Sequence, residues 1–386
     1  MEAYLDNSAT TKCLESVKDI VVKTMTEDFG NPSSKHLKGM QAENYIREAQ
    51  EKIAATMKVN PKEIYFTSGG TESNNWALLG AALANRRMGN HLITTAVEHA
   101  AVLQPMGFLE EMGFCVTYLP VDEQGTVRIE ELRKALRPET ILVSMMYVNN
   151  EVGTVEPVAE AAEIIKAANP RTLFHVDAIQ AYGKYRIYPK KLGIDLMSVS
   201  GHKIHGPKGS GFLYVSEKAR LRPLILGGGQ QKGMRSGTEN VPGAAGLGEA
   251  AAEAYRKFEE KTAHMEMIKR RFVEGVTRLE DVTLQGQTAD GGGAPHIVSV
   301  SFRGVRSEVL LHALEERGIY VSSGSACSSN KKLPVSTVLK EIGVEKDLLE
   351  STVRFSFSAF TTEEEIDYCL EQLQALLPVL RKYRRH

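Results

Sequence analysis

The chain predicts an α/β fold, with a large domain on a mainly parallel sheet and a smaller α+β domain. Three observations carry this expectation. Between about residues 15 and 255, short apolar runs alternate with segments of helical spacing, as in a parallel sheet covered by helices. Beyond about residue 255 that alternation gives way to a long charged helical stretch and a few isolated strands. Glycine-rich and polar turns follow the apolar runs, where open parallel sheets place their ligands.

The strands of the large domain are expected at 64–67, 92–95, 116–119, 141–147, 173–176, 196–199 and 212–215. Ala, Ile and Leu recur at helical spacing over 129–136 and 158–168. The small domain is expected to comprise a helix over 250–279, a strand at 296–302, a helix over 307–317, a strand at 352–357 and a last helix over 362–380. The boundaries are 15–255 for the large domain and 256–386, with 1–14 returning to it, for the small one.

The chain has 386 residues and a formal net charge of -1, with 42% apolar and 25% charged residues. That balance favours neither nucleic acid nor a membrane surface as the main partner. No apolar run is long enough to cross a bilayer, and the first residues resemble no signal peptide, so the cytoplasm is the expected compartment. The four cysteines, Cys13, Cys115, Cys327 and Cys369, form no CxxC pair or metal-ligand spacing, and no metal is expected. Cys115 and Cys369 sit in apolar patterns and read as small core residues, whereas Cys13 carries no signal. Cys327 differs, because Ser322-Ser323-Gly324-Ser325-Ala326-Cys327-Ser328-Ser329-Asn330 offers nothing apolar to pack it.

Lys203, in Ser200-Gly201-His202-Lys203, lies between two expected strands. A desolvated lysine can shed its proton and attack a carbonyl, forming a Schiff base. Ser200 and His202 beside it offer donors to a phosphate-bearing aldehyde. After strand 64–67 comes Ser68-Gly69-Gly70-Thr71 at a helix start, whose free N–H groups suit a phosphate. Strand 92–95 leads to Glu98-His99, an imidazole able to stack on a ring or move a proton. Strand 141–147 leads to Asn149-Asn150-Glu151, and strand 173–176 to Asp177, which as a desolvated carboxylate needs a cation. Taken singly, these groups read as a surface lysine, helix caps and a helix-start histidine. In order on successive strand ends they make the set that pyridoxal 5'-phosphate (PLP) requires.

With these motifs, and with Tyr4-Leu5-Asp6-Asn7-Ser8-Ala9-Thr10-Thr11, Gly30-Asn31-Pro32-Ser33, Arg235-Ser236-Gly237-Thr238 and Ser323-Gly324-Ser325-Ala326-Cys327, the chain resembles the cysteine desulfurases of the NifS/IscS kind. These are class V members of the fold type I PLP enzymes. The resemblance implies that Lys203 forms the Schiff base, Asp177 pairs with the pyridine nitrogen, His99 stacks on the ring and Gln180 bonds its hydroxyl. Gly70, Thr71, Ser200 and His202 would hold the phosphate, joined by Thr238 from the other subunit of a homodimer. Asn149 and Arg354 would grip the carboxylate of L-cysteine. Cys327 would take the sulfur as a persulfide, leaving L-alanine, and pass it to an acceptor protein. That acceptor stays open between an iron-sulfur scaffold and a tRNA-thiolation enzyme, because scaffold-feeding relatives run longer beyond the last helix. Rival readings are a selenocysteine lyase, a class V aminotransferase and a non-catalytic sulfur-docking protein.

Overall fold

The computed structural model describes residues 1–323 and 336–382. Its strands, in chain order, are β1 (Ala3–Tyr4), β2 (Ile64–Thr67), β3 (His91–Thr95), β4 (Cys115–Leu119), β5 (Thr140–Met146), β6 (Leu173–Asp177), β7 (Leu196–Ser200), β8 (Gly211–Val215), β9 (Val282–Gln285), β10 (Ile297–Phe302), β11 (Ile319–Tyr320), β12 (Ser322–Ser323) and β13 (Thr352–Ser356).

Seven strands form one sheet in the order β2-β8-β7-β6-β5-β3-β4. All neighbours in it pair parallel except β8, which is antiparallel to both β2 and β7. The chain between β7 and β8 is a tight polar turn with no crossover helix, so it has to reverse there. Strands β3 through β8 are buried almost throughout except β4, and their near-continuous apolar composition reflects cover on both faces. After β4 the chain steps back over β3 to lay down β5, which opens a crevice at the carboxyl ends of β3 and β5.

A second sheet, β12-β13-β10-β9, is antiparallel and packs on Phe272, Phe302, Phe355 and Phe357 with Ile366 and Leu373. β1 pairs parallel with β11, and Ala3 and Leu5 join this second core. From there residues 5–11 run as a strap towards the large sheet. Asn7 N–H donates to Ser356 O at 3.2 Å, Ser356 N–H to Leu5 O at 2.7 Å, and Thr11 N–H to His202 O at 2.9 Å.

Two expectations need correction. The single helix over 250–279 is two helices, Val241–Tyr255 and Phe258–Val276, broken at Lys257 with φ 53°. The Tyr255 hydroxyl is pinned inward, accepting from Gly183 N at 3.1 Å and donating to Tyr185 O at 2.9 Å. Its ring stacks on Phe258 with centroids 5.3 Å apart, so the second helix starts in a new direction. Cys115 is exposed rather than core, because β4 is the edge strand and has a partner on one side only. Cys369 is fully buried, as its pattern suggests.

Candidate active site

The carboxyl ends of β3, β5, β6 and β7 meet the strap and β13 around a cavity of about 390 Å³. Lys203 ends the single turn Gly201–Lys203 that follows β7. Its Nζ donates to Ser8 O at 2.5 Å and Ala9 O at 2.7 Å, so the strap supplies main-chain acceptors for the lysine.

Asp177 closes β6 and is 5% exposed. It accepts from Ile179 N at 3.0 Å and from Asn74 Nδ2 at 2.8 Å. Burial pushes this carboxyl up, while the Ile179 and Asn74 bonds and the His99 and Lys203 charges oppose the shift. His99 caps the helix Ala100–Glu111, its Nδ1 accepting from Ala101 N at 3.0 Å. That bond assigns the proton of the neutral ring to Nε2. Gln180 donates to Ser8 O at 3.0 Å, and His99 and Gln180 both line the cavity.

An adjoining pocket of about 400 Å³ is lined by Gly69, Gly70, Thr71, Ser200 and His202, with Ala9 and Thr10 of the strap. It sits at the first turn of the helix Gly70–Asn85, where main-chain donors have no helical acceptor. Gly69 has φ 147°, and a side chain at Gly70 would collide with Ile179. Burial, followed by the Lys203 charge, holds His202 down at about 4, so it meets an anion as a neutral donor. Thr238 is exposed and lines neither this pocket nor the cavity within its own chain.

At the far wall, Arg354 of β13 donates to Asp6 Oδ1 at 2.9 Å and Asn150 O at 2.7 Å. Its Nε is buried with no acceptor among the described residues, leaving donor capacity for an incoming carboxylate. Asn149, expected beside it, is used otherwise. Its amide donates to Val97 O at 3.0 Å and Met146 Sδ at 3.4 Å, and its carbonyl accepts from Glu151 N at 2.9 Å and Val152 N at 3.0 Å. Two donors and two lone pairs are thus taken, and Asn149 shapes the loop instead of facing the cavity.

The described residues include no group of His, Cys, Asp and Glu able to hold a metal. They do fit PLP: a phosphate would lie in the glycine pocket and an aldehyde would meet Lys203. Asp177 would pair with a protonated ring nitrogen.

The family described as Aminotransferase class-V matches residues 3–369. The chain belongs to this family, among its cysteine desulfurases. It is 43% identical to the cysteine desulfurase IscS of Methanosarcina thermophila over 98% of this chain and 92% of that protein. A solved NifS-like protein superposes with a TM-score of 0.93 at 40% identity, covering 98% of this chain and all of that one. A structure described as SspA in complex with cysteine aligns with a TM-score of 0.81 at 34% identity, over 93% of this chain and 100% of that one. Class V aminotransferases work on PLP, and the fold seen here is the fold type I architecture of the NifS-like structures. Cys327, the expected sulfur acceptor of this desulfurase family, lies outside the described residues.

Sequence reasoning did not assign Asp6, the Ser8 and Ala9 carbonyls, Asn74 or Glu151. Asn74 was open to discovery, since it follows Gly70 by one helical turn and so faces the same way. The strap contacts join residues nearly 200 positions apart and leave no local periodicity to read.

Proposed function

We propose that this chain is a PLP-dependent cysteine desulfurase that converts L-cysteine to L-alanine and passes the sulfur to the Cys327 thiol as a persulfide. The observation that carries the reading is the convergence of Lys203, Asp177, His99, Gln180 and Arg354 on one cavity. Bound PLP supplies a carbon that amines attack and a ring that draws electrons from the substrate Cα. Asp177 would hold a proton at the ring nitrogen, and His99, which lines the same cavity, would be available to the ring. The Ser8 and Ala9 carbonyls accept from the Lys203 amine and direct its remaining lone pair, which moves the Cα proton. His99 Nε2 is the second group able to hold a proton there. Arg354 orients the substrate carboxylate, and Cys327 as thiolate attacks the substrate sulfur; the S–S bond forms as the Cβ–S bond breaks, and the carbon part keeps that electron pair and takes up a proton to leave as L-alanine.

In this reading residues 15–255 form the cofactor domain, and 1–14 with 256–386 form the domain that carries the sulfur acceptor. The exposure of Thr238 supports a homodimer in which this residue completes the partner's phosphate pocket. No helix among the described residues is long and apolar enough to cross a membrane, and we place the reaction in the cytoplasm. An acceptor protein, either a scaffold or a tRNA-thiolation enzyme, would take the persulfide sulfur onward.

The experiment is to measure sulfide and alanine from L-cysteine with a reductant. The native protein is expected to give equal amounts of both, Cys327→Ser to lose both together while keeping the yellow cofactor, and Lys203→Ala to lose both because catalysis cannot start. Full sulfide yield from Cys327→Ser would overturn the assignment of Cys327, and a native protein that binds PLP yet yields no alanine would overturn the activity.

A further inference from the structure

The end of the cavity that would receive the substrate carboxylate holds one guanidinium and two carboxyl groups. Asp6 and Glu151 flank Arg354, and all three line the same space. Asp6 bonds the guanidinium directly at 2.9 Å. Glu151 is held from both sides. Its N–H donates to Asn149 Oδ1 at 2.9 Å, and its carboxylate accepts from Ser336 Oγ at 2.5 Å. Burial pushes the Glu151 carboxyl up, while the Ser336 bond and the Arg354 charge favour its ionised form. The saturated Asn149 thus acts through Glu151, by anchoring the backbone that presents it.

The charges leave room for one substrate anion. Arg354 is already partly neutralised by Asp6, and the other lysine or arginine among the described lining residues, Lys203, lies at the cofactor end with the Ser8 and Ala9 carbonyls as acceptors. An amino acid whose carboxylate occupies Arg354 keeps its side chain in the same space, which Glu151 also lines. A thiol is tolerated there because it is neutral at pH 7. A second anion would meet like charge in a desolvated wall whose guanidinium, among the described residues, is already shared between Asp6 and the substrate carboxylate.

We propose that Glu151, seconded by Asp6, is a specificity-determining residue that confines the site to amino acids with an uncharged side chain and excludes those bearing a second anion, such as L-cysteine sulfinate. The inference rests on the desulfurase reading and adds to it the charge of the accepted substrate.

The test compares L-cysteine with L-cysteine sulfinate on the PLP-loaded native protein, Glu151→Gln and Glu151→Asp. Two readouts are used: kcat/KM for alanine formation, and the apparent Kd from the change in cofactor absorbance on adding each amino acid. Glu151→Gln keeps an acceptor for Ser336 and removes the charge. It should raise kcat/KM for the sulfinate relative to cysteine by about ten-fold or more, chiefly through KM, with a matching fall in the sulfinate Kd. Glu151→Asp retains the charge and should keep the native ratio. An unchanged ratio and Kd in Glu151→Gln, or a native protein that takes the sulfinate as readily as cysteine, would overturn the inference. A native protein that forms no alanine from cysteine would instead overturn the desulfurase reading, while the absorbance titration still decides whether Glu151 repels the sulfinate.

Discussion

Replacing Arg354 by Gln strands a carboxylate. Asp6 and Arg354 are 19% and 10% exposed at an N–O distance of 2.9 Å, so the pair is largely out of water. Removing one member of such a pair costs about 3–5 kcal/mol, much of it from the charge left behind. The Asn150 carbonyl, 2.7 Å from Nη1, also loses its donor, which adds roughly 1 kcal/mol. Burial already pushes Asp6 up against the opposing Arg354 charge, and without that charge it rises further. An acid whose folded value is raised lends stability below its unfolded value and loses it as pH rises through the folded value. The deficit of Arg354→Gln should therefore shrink as the solution is acidified into the carboxylate range. Adding Asp6→Asn removes the stranded charge and should recover roughly 1–2 kcal/mol at pH 8. Urea unfolding of the native protein, both single variants and the double variant at pH 8 and pH 5 measures each quantity. A double variant less stable than Arg354→Gln alone would refute the reasoning, because no buried carboxylate would then have been stranded. In the same series, KM for cysteine should rise about 100-fold in Arg354→Gln, as expected for loss of one partner from a buried charge pair.

Three further outcomes are expected. Asn149→Ala should lower stability by about 2 kcal/mol in urea unfolding, since it leaves the Glu151 and Val152 amides and the Val97 carbonyl without their partner. A KM for cysteine rising as steeply as in Arg354→Gln would show instead that Asn149 grips substrate directly. His99→Asn can still accept from Ala101 N and should melt near the native temperature while losing most alanine formation; His99→Ala should lose activity and, with the cap gone, about 1 kcal/mol of stability as well. Glu156 is pushed up to about 8 by burial, so its share of stability is full below its unfolded value of 4.5 and declines as pH rises towards 8. Glu156→Gln should flatten that decline in melting curves taken between pH 5 and pH 8, and an identical slope in both proteins would contradict it.

Much of this architecture was legible because its signals are local. The strands of the large sheet are short apolar runs closed by polar turns, and the observed β2 through β8 lie within a residue or so of the expected positions. The helix break at Lys257 was not legible, since Arg256-Lys257 reads as ordinary helix surface. It arises because the Tyr255 hydroxyl is held by a distant loop, at Gly183 and Tyr185. Cys115 looked like core because a strand's apolar pattern does not say whether the strand is central or at an edge.

The chemistry can be read along the chain as glycine turn, histidine, amide loop, carboxylate and lysine, each after a strand. The reason is that a parallel sheet brings the carboxyl ends of its strands to one rim, so groups that follow the strands in the chain gather there. What each group faces depends on long-range packing. Packing turned Asn149 into its own loop, set Ser8 and Ala9 against Lys203, and placed Asp6 against Arg354 with Glu151 lining the same cavity. Those contacts join the strap, the large sheet and β13 across long stretches of chain, and burial rather than spacing gives them their charge and strength.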